Sequence, residues 1–259
     1  GVTKVLKSIS KNESRIKPHN MWSSLVTSVL TIGFGGSVGA EAPIVYTGAA
    51  IGSNFGRLGR LSYRNMTILV GCGAAGAVAG IFKAPLAGLL FTMEILLFNI
   101  SLASMMPLLV STVSATVVSY LFTGMDTAFH CTLEPFVLKN IPFYLVLGVA
   151  CGLLSLYFTH TTLKLEDHFA KMRSPMVKWL ICSLGVGVLV FLFPPLYGEG
   201  YGDITALLNG IGGEMKGSPL NFLMNSKWGI VVAFAAVMFF KVLSMTLTNA
   251  GGGVGGTFG

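Results

Sequence analysis

The sequence predicts an all-α polytopic membrane protein, and its composition, charge distribution and segment lengths each indicate this fold class. Of the 259 residues, 53% are hydrophobic and only 10% are charged, whereas soluble domains carry about 25% charged residues. Long runs contain no Lys, Arg or Asp and only one Glu, Glu41; these runs are 22–56, 65–82, 95–125, 140–163, 179–198 and 228–240. Several reach the roughly 20 residues that a helix needs to cross a bilayer. This composition excludes a soluble fold.

Glycines and prolines divide the runs into helices. The first helix ends at glycines, and the second begins at Pro43, because the missing N–H of proline costs nothing in the first helical turn. A polar connection at 124–140 follows the fifth helix, and YGEGYGD forms a turn before a short helix. The predicted helices are Trp22–Gly33, Pro43–Arg57, Asn65–Gly80, Pro85–Asn99, Pro107–Thr123, Pro142–His168, Pro175–Phe193, 203–209 and Trp228–Asn249.

The net charge of +7 is concentrated in two basic segments, 4–17 and 164–178. Neither segment interleaves its basic residues with aromatic residues, so we expect no nucleic-acid partner. Cytoplasmic loops of membrane proteins collect Lys and Arg. Both segments are therefore predicted to lie on the cytoplasmic side.

The cysteines give no indication of a metal or cofactor site. The four cysteines show no close metal-ligand spacing, and three lie in apolar runs, which is typical of small buried thiols. We expect neither a metal nor a cofactor.

The chain begins at Gly1 without Met and ends at Gly259 within a glycine-rich element. We therefore expect an interior piece of a longer protein or a chain trimmed at both ends.

Small residues recur at two levels along the chain. Glycines at every fourth position, as at 48–56 and 76–80, let helix backbones approach closely in lipid. At a larger scale, GGSVGAE (35–41) and GGGVGGT (251–257) agree at four of their first five positions. Two such elements indicate structural repeats whose broken helices meet at the membrane midplane, although coincidence between glycine-rich segments is the alternative.

A helix that begins within the membrane exposes backbone N–H groups, and together with the helix dipole they form an anion site. Ala40, Glu41 and Ala42 precede the predicted Pro43 helix, and 257–259 would supply the second set of N–H groups. The Glu41 carboxylate would occupy such a site itself and leave it on protonation, which makes it a gate. The alternative is an acid that only caps the helix.

These elements resemble the CLC family of chloride channels and chloride/proton antiporters. Gly39-Ala40-Glu41-Ala42-Pro43 is similar to the family motif G-(K/R)-E-G-P, with Ala replacing the basic residue and the second glycine. The most specific match is FKAPLAGLLFTME (82–94), which resembles F-N-A-P-L-A-G-x-L-F-x-x-E. GGTFG (255–259) resembles the start of G-x-F-x-P, and the initial GVT resembles the tail of G-S-G-x-P.

The resemblance implies roles for individual residues around two anion sites. Glu41 stands at the position of the external gating glutamate. Further residues are implied to line the external site or to donate backbone N–H groups to the central one: Ala40, Ala42 and Gly259 for the external site, and Thr257 and Phe258 for the central site. The Ser and Tyr of the family's remaining anion-binding elements would lie upstream and downstream of this chain.

Glu94 and Ile95 concern the proton path that the resemblance implies. Many antiporters of the family carry a second acid directly after the helix glutamate, and here Ile95 follows Glu94 at that position. The simple two-glutamate path is therefore incomplete. We expect Glu94 to be structural, paired or hydrogen-bonded within the bundle, and a proton relay is the alternative.

Lys83 and Lys241 are single basic residues near the two glycine elements. They would raise the local potential for anions, or Lys83 would extend to an interface and Lys241 would pair with an acid.

The resemblance implies a CLC-type fold of inverted repeats, with broken, tilted helices that meet at the midplane, in a homodimer. Residues 1–125 would be the rest of the first repeat, with its first filter element partly missing and the Glu41 element present. Residues 126–140 would be a polar connecting loop. Residues 141–259 would start the second repeat and end in a truncated G-x-F-x-P element.

The implied function is transmembrane chloride transport, gated by protonation of Glu41 and coupled to protons as antiport, in a multi-pass protein of the cell membrane. Its partners would be chloride, protons and the lipid bilayer. A passive voltage- or pH-gated chloride channel is the alternative, which Ile95 favours. An intramembrane enzyme with Glu41 as general base would need a nucleophile or metal ligands nearby, and none is visible in the runs. A structural or receptor-like subunit, and fluoride or nitrate as the anion, remain open.

Overall fold

The computed structural model describes residues 2–95, 102–125, 137–209, 218–222 and 226–257. These residues form helices and turns with one isolated antiparallel bridge. The chain divides into two compact units. Unit 1 comprises 1–34, 38–129 and 254–259, and unit 2 comprises 35–37 and 130–253.

Unit 1 is a bundle in which each helix packs on a neighbour through small residues. Its helices are α1 Val2–Lys11, α2 Ser23–Gly33, α3 Glu41–Leu58, α4 Tyr63–Phe82, α5 Pro85–Ile95 and α6 Leu102–Thr123, with a 3₁₀ turn at Pro18–Met21. Helix α4 is central, since it packs against α3, α5 and α6. The core around α3 and α4 contains Val45, Ala49, Val70 and Ala74.

Unit 2 consists of helices packed around one long helix near its end. Its helices are α7 Ile141–Ala170, α8 Pro175–Leu192, α9 Tyr201–Leu208 and α10 Lys227–Ala250, with 3₁₀ turns at Leu138–Asn140 and Pro194–Leu196. Helix α10 packs against both α7 and α8. One core cluster contains Phe193, Leu196 and Ala233.

The polytopic prediction is confirmed. Within the described residues, five helices are long and apolar enough to cross a membrane: Tyr63–Phe82, Ser104–Thr123, Leu138–Ala170, Pro175–Leu192 and Trp228–Ala250. They match five of the predicted helices. These segments form regular helices because a lipid-exposed backbone must satisfy its hydrogen bonds internally.

The glycine spacing in α3 serves close helix packing, as the sequence predicted. A Cβ on Gly48 would overlap the carbonyl oxygen of Gly73 in α4, and one on Gly52 would overlap that of Leu69. A Cβ on Gly73 would likewise overlap the Gly48 carbonyl. The backbones of α3 and α4 therefore touch at positions where only glycine fits.

Hydroxyl groups join α4 to α6 across an otherwise apolar interface. Ser111 Oγ donates to the carbonyl of Cys72 at 2.8 Å, and Ser119 Oγ donates to that of Gly80 at 2.7 Å. Interhelical bonds of this kind contribute about 0.6 kcal/mol each on average. They fix the rotation of α6 against α4.

Helices α3 and α6 each begin before the proline that was predicted to start them. Helix α3 begins at Glu41 rather than Pro43, because proline is tolerated anywhere in a first turn whose N–H groups have no intrahelical acceptor. Helix α6 begins at Leu102 with Pro107 inside it, which membrane helices tolerate. Of the predicted 85–99 helix, 96–99 lie outside the described residues, as do 126–136 of the connecting loop.

Helix α1 was not predicted. Val2, Val5, Leu6 and Ile9 recur at helical spacing, and Val5 is completely buried in the core with α3 and α4. The intervening lysines and Thr3 are exposed. Residues 2–11 are therefore an amphipathic helix on the bundle rather than an irregular basic approach to it.

Candidate functional site

The N-terminus of α3 lies within the bundle and carries Glu41. Ala40 is the N-cap residue, Glu41 is the first helical residue, and Glu41, Ala42 and Pro43 are buried, with Glu41 only 5% exposed. The first intrahelical hydrogen bond runs from the Ile44 N–H to the Ala40 carbonyl at 3.0 Å. The N–H groups before Ile44 thus lie ahead of the helix's own ladder, at the positive end of its dipole.

The second glycine element crosses this N-terminus inside unit 1. Gly39 and Gly256 form an antiparallel bridge, in which the Gly39 N–H donates to the Gly256 carbonyl at 3.2 Å and the Gly256 N–H donates to the Gly39 carbonyl at 2.7 Å. A Cβ on Gly256 would lie 2.9 Å from the Cβ of Ala42, and one on Gly255 would overlap Val38. The bridge therefore requires glycine at both 255 and 256.

Threonine hydroxyls hold the residues that flank the bridge. In unit 1, Thr31 Oγ1 accepts from the Val254 N–H at 3.1 Å and donates to the Thr27 carbonyl at 2.8 Å. In unit 2, Thr248 Oγ1 accepts from the Ser37 N–H at 3.2 Å and donates to the Ser244 carbonyl at 2.8 Å. Each threonine precedes its bridging glycine by eight residues. The two elements thus use the same hydrogen-bonding device.

The register between the two elements differs by one residue from the sequence-based alignment. That alignment matched Gly39 with Gly255, whereas the structure pairs Gly39 with Gly256. The turns agree with the structural register, because Gly35 (φ +98°) and Gly252 (φ +102°) both stand four residues before the bridge in left-handed conformations that favour glycine. Glu41 therefore corresponds to Phe258 and not to Thr257.

The predicted anion-binding residues are partly brought together. Ala40, Glu41 and Ala42 form the start of α3, and Thr257 directly follows the bridging Gly256 and is exposed. Phe258 and Gly259 lie outside the described residues. Sequence reasoning missed Thr31 and Thr248, whose signal is a threonine one turn before the end of a helix that leads into glycines.

The predicted proton-path residues lie at the other end of a different helix. Glu94 and Ile95 end α5, and Glu94 is exposed. No hydrogen bond or ion pair joins Glu94 to another described residue, so the expected pairing within the bundle is not found in this part of the chain. Its role stays a prediction.

The two lysines near the glycine elements bind carbonyl groups. Lys83 Nζ donates to the Gly124 carbonyl at 2.8 Å and lies 5.5 Å from the ring centre of Tyr120. It thereby neutralises the negative C-terminal end of α6.

Lys241 has a similar arrangement in unit 2. Its Nζ donates to the Gly198 carbonyl at 2.8 Å. Burial raises the pKa of the Asp203 carboxyl above its ordinary 3.8, and the charge of Lys241 opposes that rise. Asp203 is therefore the acid whose charge Lys241 influences, and the expected ion pair of Lys241 stays a prediction.

Comparison with known protein families gives one match over the whole chain. The family described as voltage gated chloride channel matches residues 1–259. A ClcB-like protein of Ralstonia nicotianae is 30% identical over 238 residues, which cover 90% of this chain and 52% of that protein. The H⁺/Cl⁻ exchange transporter ClcA of Vibrio cholerae is 28% identical over 190 residues, which cover 69% of this chain and 40% of that protein.

Solved structures share the fold. The crystal structure of a slow cyanobacterial Cl⁻/H⁺ antiporter matches with a TM-score of 0.77 at 23% identity, covering 98% of this chain and 58% of that one. A CLC-type fluoride/proton antiporter matches with a TM-score of 0.69 at 22% identity, covering 99% and 61%. The chain spans about half the length of the curated relatives it matches.

Proposed function

The chain belongs to the voltage-gated chloride channel family, and from this premise we propose that it forms part of a transmembrane pathway for chloride that is gated by protonation of Glu41. The observation that carries the proposal is the Gly39–Gly256 bridge, which joins the second glycine element to the buried N-terminus of α3. Membership of this family supports a role in transport rather than an enzyme that uses Glu41 as general base.

Backbone dipoles would hold the anion without a fixed positive charge. Residues 31–43 and 244–257 contain no Lys or Arg, so the attraction comes from N–H groups and from the α3 dipole, equivalent to about half an elementary charge. Conduction needs binding that is favourable enough for the ion to enter and weak enough for it to leave. Partial charges meet both conditions better than a buried lysine would.

Glu41 would act as a tethered competitor for the same N–H groups. An ionised acid within a membrane costs at least about 2.5 kcal/mol, and the positive end of α3 offsets part of that cost. Protonation removes the attraction and releases the position to chloride. The ionised carboxylate of Glu41 and a chloride ion would thus exclude each other at one place, which is the basis of exchange.

Coupled antiport is the version of transport that we favour. The matched Vibrio cholerae relative is an H⁺/Cl⁻ exchange transporter, and both matched structures are those of antiporters. Ile95 stands where an acid would complete an inner proton path, so coupling here requires another route for the proton. A passive channel is the second candidate, and the same residue, Ile95, favours it.

The repeats and the homodimer belong to the same proposal. The shared threonine, turn and glycine positions of the two elements support a first repeat within 1–125 and the start of a second within 141–259, joined by the loop 126–140. The homodimer rests on the family alone. Light scattering of the full-length protein in detergent would give the mass of one or two subunits.

The test uses the full-length parent protein in chloride-loaded liposomes, with chloride efflux and external pH recorded together. Wild type is compared with Glu41→Gln and with Glu166→Gln, an exposed acid of α7 that serves as the matched control. Antiport predicts proton uptake driven by chloride efflux, its loss in Glu41→Gln and its retention in Glu166→Gln. Chloride flux without proton movement in wild type identifies a channel, and absence of anion flux refutes the proposal.

A further inference from the structure

Two cavities at the surface of unit 1 share Arg15, and each is lined by at least three basic side chains. The larger, of about 350 Å³, is lined by Lys4, Lys7, Arg15 and Lys17 together with Asn12 and Asn20. The smaller, of about 310 Å³, is lined by Arg15, Arg57 and Arg60. We propose that these basic cavities bind a phosphate-bearing anion, presented by a lipid headgroup or free in solution.

The backbone that carries Arg15 is held firmly between them. Ser14 and Ile16 are 0% and 3% exposed. Ser53 Oγ of α3 donates to the Ser14 carbonyl at 2.7 Å and accepts from the Ile16 N–H at 2.9 Å, and Ser14 Oγ lies 2.6 Å from Thr67 Oγ1 of α4. Because both neighbours of Arg15 are buried, its own side chain is directed outward into both cavities.

The cations of these cavities have little opposing charge. Within the described part of the chain, the carboxylate that pairs with a lining cation belongs to Glu13, which lies 3.5 Å from Arg15 with the two side chains 72% and 64% exposed. Exposed pairs of this kind contribute little to stability, so a ligand can displace Glu13. A multiply charged anion would relieve the mutual repulsion of the gathered cations.

Phosphate chemistry fits the side chains better than chloride does. Guanidinium groups bind phosphate oxygens in bidentate fashion, lysines act as point charges beside them, and the Asn12 and Asn20 amides add donors. The volumes lie near the lower limit of about 300 Å³ for ligand sites, which suits a headgroup or a diphosphate. Basic pockets of this kind on the predicted cytoplasmic side are typical lipid-headgroup sites.

The experiment measures binding rather than flux, so its outcome is independent of the proposed transport function. Full-length protein is placed in nanodiscs of phosphatidylcholine with or without phosphatidylglycerol, and bound phosphatidylglycerol is counted by native mass spectrometry. Pyrophosphate is titrated calorimetrically into the phosphatidylcholine nanodiscs. The test variant is Arg15→Gln/Lys17→Gln, and the matched control is Lys164→Gln/Lys171→Gln from the other basic segment.

We expect the test variant to bind at least about tenfold more weakly, because it loses charge-assisted hydrogen bonds to the phosphate. The control variant is expected to bind like wild type. A loss confined to phosphatidylglycerol identifies the headgroup as the source, and one confined to pyrophosphate identifies a soluble phosphate. If the double variant fails to fold, the single variant Lys7→Gln is expected to weaken binding about threefold. Equal weakening in test and control variants, or no binding of either probe to wild type, overturns the proposal.

Discussion

Replacing Thr31 by Val tests whether the threonine hydroxyl positions the glycine element beside Glu41. The substitution keeps the side-chain shape and removes one atom, Oγ1. That atom accepts from the Val254 N–H at 3.1 Å and donates to the Thr27 carbonyl at 2.8 Å. Only the first bond joins α2 to the segment that leads into the bridging Gly256.

The expected loss of stability depends on which polar groups lose a hydrogen-bond partner. An unpaired, buried backbone N–H costs about 1–3 kcal/mol, and Val254 is only partly buried, which places the expected loss at about 1–2 kcal/mol. The Thr27 carbonyl is also an acceptor within α2, so losing its second partner costs little. Since 1.4 kcal/mol is tenfold in an equilibrium constant, the population of the bridged geometry should fall about tenfold relative to unbridged ones.

The assay combines unfolding of the full-length protein in detergent with chloride/proton stoichiometry in liposomes. Thr27→Val is the matched control, because Thr27 Oγ1 donates only to carbonyls of its own helix, at 2.8 and 3.1 Å. Thr31→Ser should restore both readouts. If Thr31→Val unfolds and transports like Thr27→Val, the threonine does not position the filter and the reasoning is wrong.

Three further predictions concern the packing and the charges, the first of them with a control substitution. Gly73→Ala should prevent folding, since its Cβ overlaps the Gly48 carbonyl, whereas Gly80→Ala should be tolerated because the nearest atom lies 3.8 Å away; the yield of folded protein distinguishes them. Lys83→Met should lower the free energy of unfolding by about 0.5–1 kcal/mol, because it removes a cation from a helix C-terminus. The raised pKa of Asp203 means that the folded state holds this proton more tightly, so stability falls as pH rises above the ordinary 3.8. Asp203→Asn should flatten that slope in thermal unfolding, and an unchanged slope would contradict it.

The helices were predictable because their causes are local. A backbone in lipid must satisfy its hydrogen bonds internally. A sufficiently long uncharged apolar run, as in α4, α7 and α10, therefore predicts a helix. The glycines of α3 were also readable, because their spacing places them on one helix face. The predicted start of α3 was two residues too late, because Pro43 indicates a first turn without fixing which position of that turn it occupies.

The register of the glycine elements was not readable from identities. The chain contains 33 glycines. An alignment that matches Gly39 with Gly255 therefore reaches its number of identities easily by chance. The actual pairing with Gly256 is fixed by hydrogen bonds to Thr31 and Thr248, which are distant in sequence from the segments they hold. Tertiary contacts therefore decide which position of the second element corresponds to Glu41.

Helix α1 was missed for a related reason. Three lysines interrupt its four apolar residues within 2–11, and those apolar residues form a buried face only because α3 and α4 offer a surface. A ten-residue helix is marginal alone in water. Burial of Val5 against the bundle is what stabilises it.

The central claim is that Glu41 and chloride compete for the N-terminus of α3. The most direct measurement is chloride binding to the full-length protein by calorimetry, as a function of pH, for wild type and Glu41→Gln. The account predicts that wild type binds chloride more weakly as pH rises, while Glu41→Gln binds as tightly as protonated wild type at every pH. Identical pH dependence in the two proteins would show that the carboxylate of Glu41 does not occupy the anion site.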